Sequence, residues 1–101
     1  MIHVLAYITA KPGQRDALLK EFRAIIPAVR AEKGCIEYGP AIDADMGGFQ
    51  TKVGADGFVV VEKWESLDTL KAHAAAPHMA AYGARTKNMI ASRVIHVLTP
   101  T

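Results

Sequence analysis

The segment Phe58 to Glu65, Phe-Val-Val-Val-Glu-Lys-Trp-Glu, constrains this chain more than any other stretch. β-Branched and aromatic residues dominate it, and they favour a pleated, well-covered backbone. Side chains alternate across a strand, so Phe58, Val60, Glu62 and Trp64 fall on one face and Val59 and Val61 on the other. Both faces are therefore apolar. Such a strand belongs inside a sheet with cover on each side, because a bare apolar sheet face is a liability in water.

The flanking segments supply the rest of the sheet and one layer of cover. Ile2 to Thr9 alternates as a strand, with Val4, Ala6 and Ile8 on one face and His3, Leu5 and Tyr7 on the other. Lys11-Pro12-Gly13 is a turn. From about Gln14 to Glu32, Leu18, Phe22, Ile25 and Val29 recur at helical spacing, widened by Leu19 and Ile26. Pro27 is expected to kink that helix or start a new turn, and Gly34 to cap its end. Cys35 to Asp43 reads as a second strand. Asp45 to Gly57 reads as a connection with a short strand near Phe49 to Val53. Ser66 is placed to cap a helix running to the alanines before Pro77. Pro77 suits the first position of a third helix ending near Ala91. Arg93 to Leu98 closes the chain as a strand.

The order strand, helix, strand, strand, helix, strand is that of an α+β, ferredoxin-like split βαβ unit with an antiparallel sheet and helices on one face. At 101 residues it is expected to be one domain over residues 1–101. The second apolar face of the sheet then needs a partner, and another copy of the same sheet is the simplest one, so a homodimer is expected.

Composition removes several function classes. Lys and Arg exceed Asp and Glu by only two and lie scattered among them, so no basic stripe marks a nucleic-acid partner. No apolar run approaches the ~20 residues that span a bilayer, and the apolar start alternates like a strand instead of following a basic leader. The expected location is the cytoplasm, away from membranes. The single cysteine, Cys35, excludes an internal disulfide and any cysteine cluster, and reads as a small buried residue. No glycine-rich nucleotide fingerprint or serine nucleophile motif is present.

Residues able to carry chemistry crowd into one strand–helix–helix unit, Glu62 to Arg85. Glu62 shares the face of Phe58, Val60 and Trp64, where an apolar setting raises a carboxyl pKa and suits it to act as a base; an ion pair would serve equally. Trp64 offers a flat surface to an aromatic ligand, or simply core packing. His73 is a candidate base or hydrogen-bond donor, and His78 a candidate neutral donor or acceptor at a helix start. His78, Tyr82 and Arg85 share a helix face, either as one polar wall of a pocket or as a solvated surface. His73 and His78 are not spaced to chelate on one helix face, so no metal site is expected unless ligands arrive from elsewhere.

Taken together, Lys11-Pro12-Gly13-Gln14, Glu32-Lys33-Gly34-Cys35 and Glu62-Lys63-Trp64-Glu65-Ser66 with His73 and Pro77-His78-Met79 resemble the antibiotic biosynthesis monooxygenase family, over essentially the whole chain and nearest its bacterial quinol monooxygenase type. The resemblance implies a dimeric α/β barrel with a pocket in each subunit between sheet and helices. It implies oxygenation of a quinol, hydroquinone or related phenol by O₂, with no flavin, haem or metal cofactor. By position it assigns Trp64 to the pocket and His73 and His78 to the helix histidines; from the residues themselves, Glu62, His73 or His78 is the expected base, and Phe58, Val60, Tyr82 and Arg85 are expected with Trp64 around the substrate. Val60 stands where polyketide-oxidising members carry an asparagine, which favours the quinol type. Two other readings share the scaffold: a non-catalytic module that sequesters quinones, and an isomerase or lyase that works without O₂.

Overall fold

A computed structural model describes residues 1–101 as seven elements. They are β1 (Ile2–Ala10), α1 (Arg15–Arg30), β2 (Cys35–Ala41), β3 (Gly57–Trp64), α2 (Leu67–Ala74), α3 (Pro77–Thr86) and β4 (Ile90–Leu98). The strands form one sheet in the order β2-β3-β1-β4, every neighbouring pair antiparallel. β3 sits between the two strands joined by α1, which makes β1-α1-β2 a split crossover. No helix is long and apolar enough to cross a membrane.

The alternation in β3 sorts its residues as expected. Phe58, Val60, Glu62 and Trp64 are buried on the helix side, where they meet Val4 and Ala6 of β1. Leu18, Phe22, Ile25 and Val29 carry the buried stripe of α1 onto this face. The opposite face carries Leu5, Tyr7, Val59, Val61, Val94 and Leu98 by strand register, and no element of the chain covers it. Tyr7, Val94 and Leu98 are exposed there. β4 lies at the sheet edge and also leaves Ile95 and Val97, on the helix side, half open.

Local details depart from expectation for identifiable reasons. α1 runs through Pro27 to Arg30 as one helix. Pro27 removes a single hydrogen bond in the last turns, and both Pro27 and Arg23 are exposed, so the freed carbonyl can meet water. The helix is capped at Ala31, so Gly34 is not its cap. Gly34 instead has a positive φ of 83° and lies under α2, where an added Cβ would fall 2.5 Å from Thr69 Cγ2. The stretch Phe49 to Val53 is not a strand. The Asp43 carboxylate accepts from Val53 N and Gly54 N at 2.9 Å each, while Gln50 bonds Met46 N and Ala44 O, so side chains take the place of a ladder. α3 stops at Thr86 rather than near Ala91, because Ile90 already pairs with Ala10 in the sheet.

Ser66 does cap α2, through a capping box. Its Oγ accepts from Thr69 N and Thr69 Oγ1 accepts from Ser66 N, both at 3.2 Å. This fixes where α2 leaves β3, and with it the position of His73.

Candidate functional site

Between the sheet and the α2–α3 pair lies a cavity of about 450 Å³. The floor is Val4, Ala6, Ile8 and Val60, with Arg93, Ile95 and Val97 of β4 along one side. The roof is Leu70, His73, Met79, Tyr82 and Thr86, and Phe22 and Tyr38 close an end. The lining is mainly apolar with a few polar tips, the pattern of a small-molecule site. Its volume is at the lower end of the usual range, enough for a compact aromatic.

His73 is the best-placed reactive group. It is buried, with its ring tilted against Trp64 at 4.6 Å between centroids and edge-on to Tyr38 at 5.4 Å. Its Nδ1 lies 2.9 Å from Glu32 Oε2. His78 Nε2 lies 2.7 Å from the same oxygen. The bond to Glu32 engages Nδ1 of His73, so Nε2 is the ring nitrogen left for a proton transfer. Three elements meet here, since Glu32 follows α1, His73 lies on α2, and His78 opens α3.

Glu62 and Trp64 form a second pair. Trp64 Nε1 donates to Glu62 Oε1 at 2.9 Å, so the buried carboxylate is satisfied within the chain. Burial pushes the Glu62 carboxyl above its ordinary range, with the Trp64 bond and the nearby His73 acting in the opposite sense. Trp64 has no exposed surface, packs in the core against His73, and does not line the cavity. Of the two readings of Trp64, a surface for a ligand or core packing, the structure has core packing: the N–H is spent on Glu62 and the ring braces the histidine. Phe58 is likewise fully buried beside Phe22 and away from the cavity.

Of the two readings left open for His78, Tyr82 and Arg85, a polar pocket wall or a solvated face, the structure does not assemble the wall. His78 turns to Glu32 and Arg85 Nε bonds Glu21 Oε2 at 3.2 Å on the exposed side, so only Tyr82 enters the cavity. Burial pushes the Tyr82 phenol up to about 12, which keeps it a neutral donor. Of the residues singled out from sequence, the structure brings Val60, His73 and Tyr82 to the cavity, and Glu62 and Trp64 to its supporting layer.

Sequence reasoning gave no role to Glu32, Tyr38 or Arg93. Glu32 stood in a quoted motif, but nothing in local spacing ties it to histidines 41 and 46 positions later. His3 and His96 share the outer sheet face, where His96 meets Tyr7 edge-on at 5.9 Å. Cys35 is partly buried, and burial together with Glu32 and Glu62 raises its thiol pKa, the opposite of a reactive cysteine.

Comparison with known proteins agrees with this fold. The family model described as antibiotic biosynthesis monooxygenase matches residues 1–85. The chain belongs to the antibiotic biosynthesis monooxygenase family. It is 38% identical to the probable quinol monooxygenase YgiN of Escherichia coli, with 99% of this chain and 98% of that one covered. Among solved structures it resembles Rv0793 from Mycobacterium tuberculosis, at a TM-score of 0.82 and 28% identity over 99% of this chain and 94% of that one. It also resembles PA3566 from Pseudomonas aeruginosa, at a TM-score of 0.83 and 26% identity over 99% and 93%. Family membership supports a monooxygenase function and, with it, a small-molecule substrate.

Proposed function

We propose that the protein oxidises a small quinol or hydroquinone with O₂, without a bound cofactor, and that His73 is the base. The observation that carries this reading is the Glu32–His73 bond at the wall of an apolar cavity. It orients the imidazole and engages Nδ1, so that Nε2 is the atom that takes a phenolic proton. Arg93 at the cavity side offers a positive charge to the resulting anion, and Tyr82 a neutral hydroxyl. The electron-rich anion reduces O₂ and the resulting peroxide collapses on the ring, so that quinol and O₂ give a hydroxyquinone, which keeps one oxygen atom, and water, which carries the other. The protein's part is to bind, deprotonate and exclude water. Val60 and Tyr38 flank the bound ring, while Glu62 and Trp64 hold His73 in place from behind. YgiN, similar over 98% of its length, bears the name probable quinol monooxygenase, which supports the substrate class.

The uncovered apolar sheet face supports a homodimer in which two sheets close on each other. The charge balance and the lack of a membrane-crossing helix are in keeping with a protein that works on small molecules in the cytoplasm.

The test is O₂ uptake by purified protein with a panel of reduced quinols, menadiol among them, against the autoxidation blank. Saturable, enzyme-dependent uptake that survives chelators and falls about 10²–10⁴-fold in His73→Ala supports the reading. Glu32→Gln should lie between. Quinone binding with no uptake would instead mark a sequestering module, and anaerobic turnover an isomerase or lyase.

A further inference from the structure

We propose that Glu32, His73 and His78 form a binding site for a zinc-class divalent cation. The chain places a carboxylate from the turn after α1 and imidazoles from α2 and α3 around one point. His73 Nδ1 and His78 Nε2 lie 2.9 and 2.7 Å from the same Glu32 oxygen, and the three ligand atoms fall within 4.8 Å of one another. Zinc holds nitrogen and oxygen donors at about 2.0–2.2 Å, which sets tetrahedral ligand atoms about 3.3 Å apart. The triad reaches that spacing if the carboxylate withdraws from the two nitrogens by a few tenths of an ångström, roughly, while they converge on the ion. Glu32 can withdraw, because it lies in the turn between α1 and β2 and accepts both bonds on Oε2 alone.

Two imidazoles and a carboxylate suit zinc and its neighbours in the first transition row, whereas magnesium and calcium prefer oxygen donors throughout. The ring of His73 is already held by Trp64 and Tyr38, so little order is lost on binding. Solvent reaches the site from the His78 side, whose side chain is 31% exposed against 14% for Glu32 and 7% for His73. Three protein ligands leave a fourth position for water. A bound ion would tie the end of α1 to α2 and to the start of α3, clamping the helix layer. The site shares His73 with the proposed quinol oxidation, but binding is read without substrate, so either can fail alone.

The experiment uses the full chain stripped with a chelator. Zn²⁺ is titrated against a chromophoric competitor, Co²⁺ is followed by visible absorption, and the thermal midpoint is recorded with and without Zn²⁺. The expected result is one Zn²⁺ per chain, visible Co²⁺ bands typical of low coordination number, and a raised midpoint. His78→Ala and Glu32→Gln, both checked for folding by far-UV circular dichroism, should each weaken Zn²⁺ binding by about tenfold or more, since even outer-shell partners contribute about 10–100-fold. Replacing His3 and His96 together by alanine should leave affinity unchanged. No stoichiometric binding would overturn the proposal. So would binding unaltered in both His78→Ala and Glu32→Gln, or binding lost with His3 and His96.

Discussion

Trp64→Phe should destabilise this protein chiefly by stranding a carboxylate. The indole has no exposed surface, and Glu62 is only 7% exposed. The 2.9 Å bond from Trp64 Nε1 is the hydrogen bond that Glu62 accepts from the protein. Losing a bond to a charged acceptor costs about 1.5–3 kcal/mol. The smaller phenyl ring leaves a void worth roughly 1 kcal/mol more. The sum, about 2.5–4 kcal/mol, corresponds to a fall in Tm of roughly 10–30 °C for a domain of this size. The bond and the void separate in a double-mutant cycle. In a Glu62→Leu background no carboxylate is left to strand and the buried indole N–H has itself lost its acceptor, so Trp64→Phe should cost no more than the void, about 1 kcal/mol. The expected coupling is therefore at least about 1.5 kcal/mol. Urea unfolding followed by far-UV circular dichroism is the suitable assay, because Trp64 is the only tryptophan and its fluorescence leaves with it. Protein concentration must be matched across variants, since association would shift apparent stability. A coupling under about 0.5 kcal/mol would refute the reasoning and leave Trp64 a space-filler.

Three further outcomes follow from the same geometry. Burial raises the Glu62 carboxyl pKa, so the folded chain holds a proton that the unfolded chain releases near pH 4.3, roughly; stability should fall as pH rises from there through the folded value, and Glu62→Gln should flatten that slope in urea titrations. Val94→Lys, on the exposed outer face of β4, should yield a monomer by analytical ultracentrifugation if that face joins two copies, and an unchanged mass would remove it from the interface. Gly34→Ala should cost about 1–2 kcal/mol for the positive φ alone, and more for the contact with Thr69, measured as a drop in the urea midpoint; a neutral result would show that α2 shifts freely over this turn.

What the sequence determined by itself is what local periodicity can encode. The two-residue alternation of β3 assigned Phe58, Val60, Glu62 and Trp64 to one face, and the helical stripe from Leu18 to Val29 chose the buried side of α1. Ser66 and Pro77 marked helix starts because capping and a missing N–H act within one turn. Element order then left the split βαβ sheet as the topology. Boundaries slipped where a distant partner intervened, as at Ile90, which the ladder with Ala10 claims for the sheet. The site was legible as a list of residue types but not as an arrangement. His73 and Tyr82 reach the cavity, whereas Arg85 turns to Glu21 and Trp64 turns inward to Glu62. Glu32 meets His73 and His78 only because the end of α1 packs beside α2 and the start of α3. Spacing along one helix or strand predicts which side chains share a face. Which of them touch across elements depends on how those faces pack, and that only the tertiary structure decided.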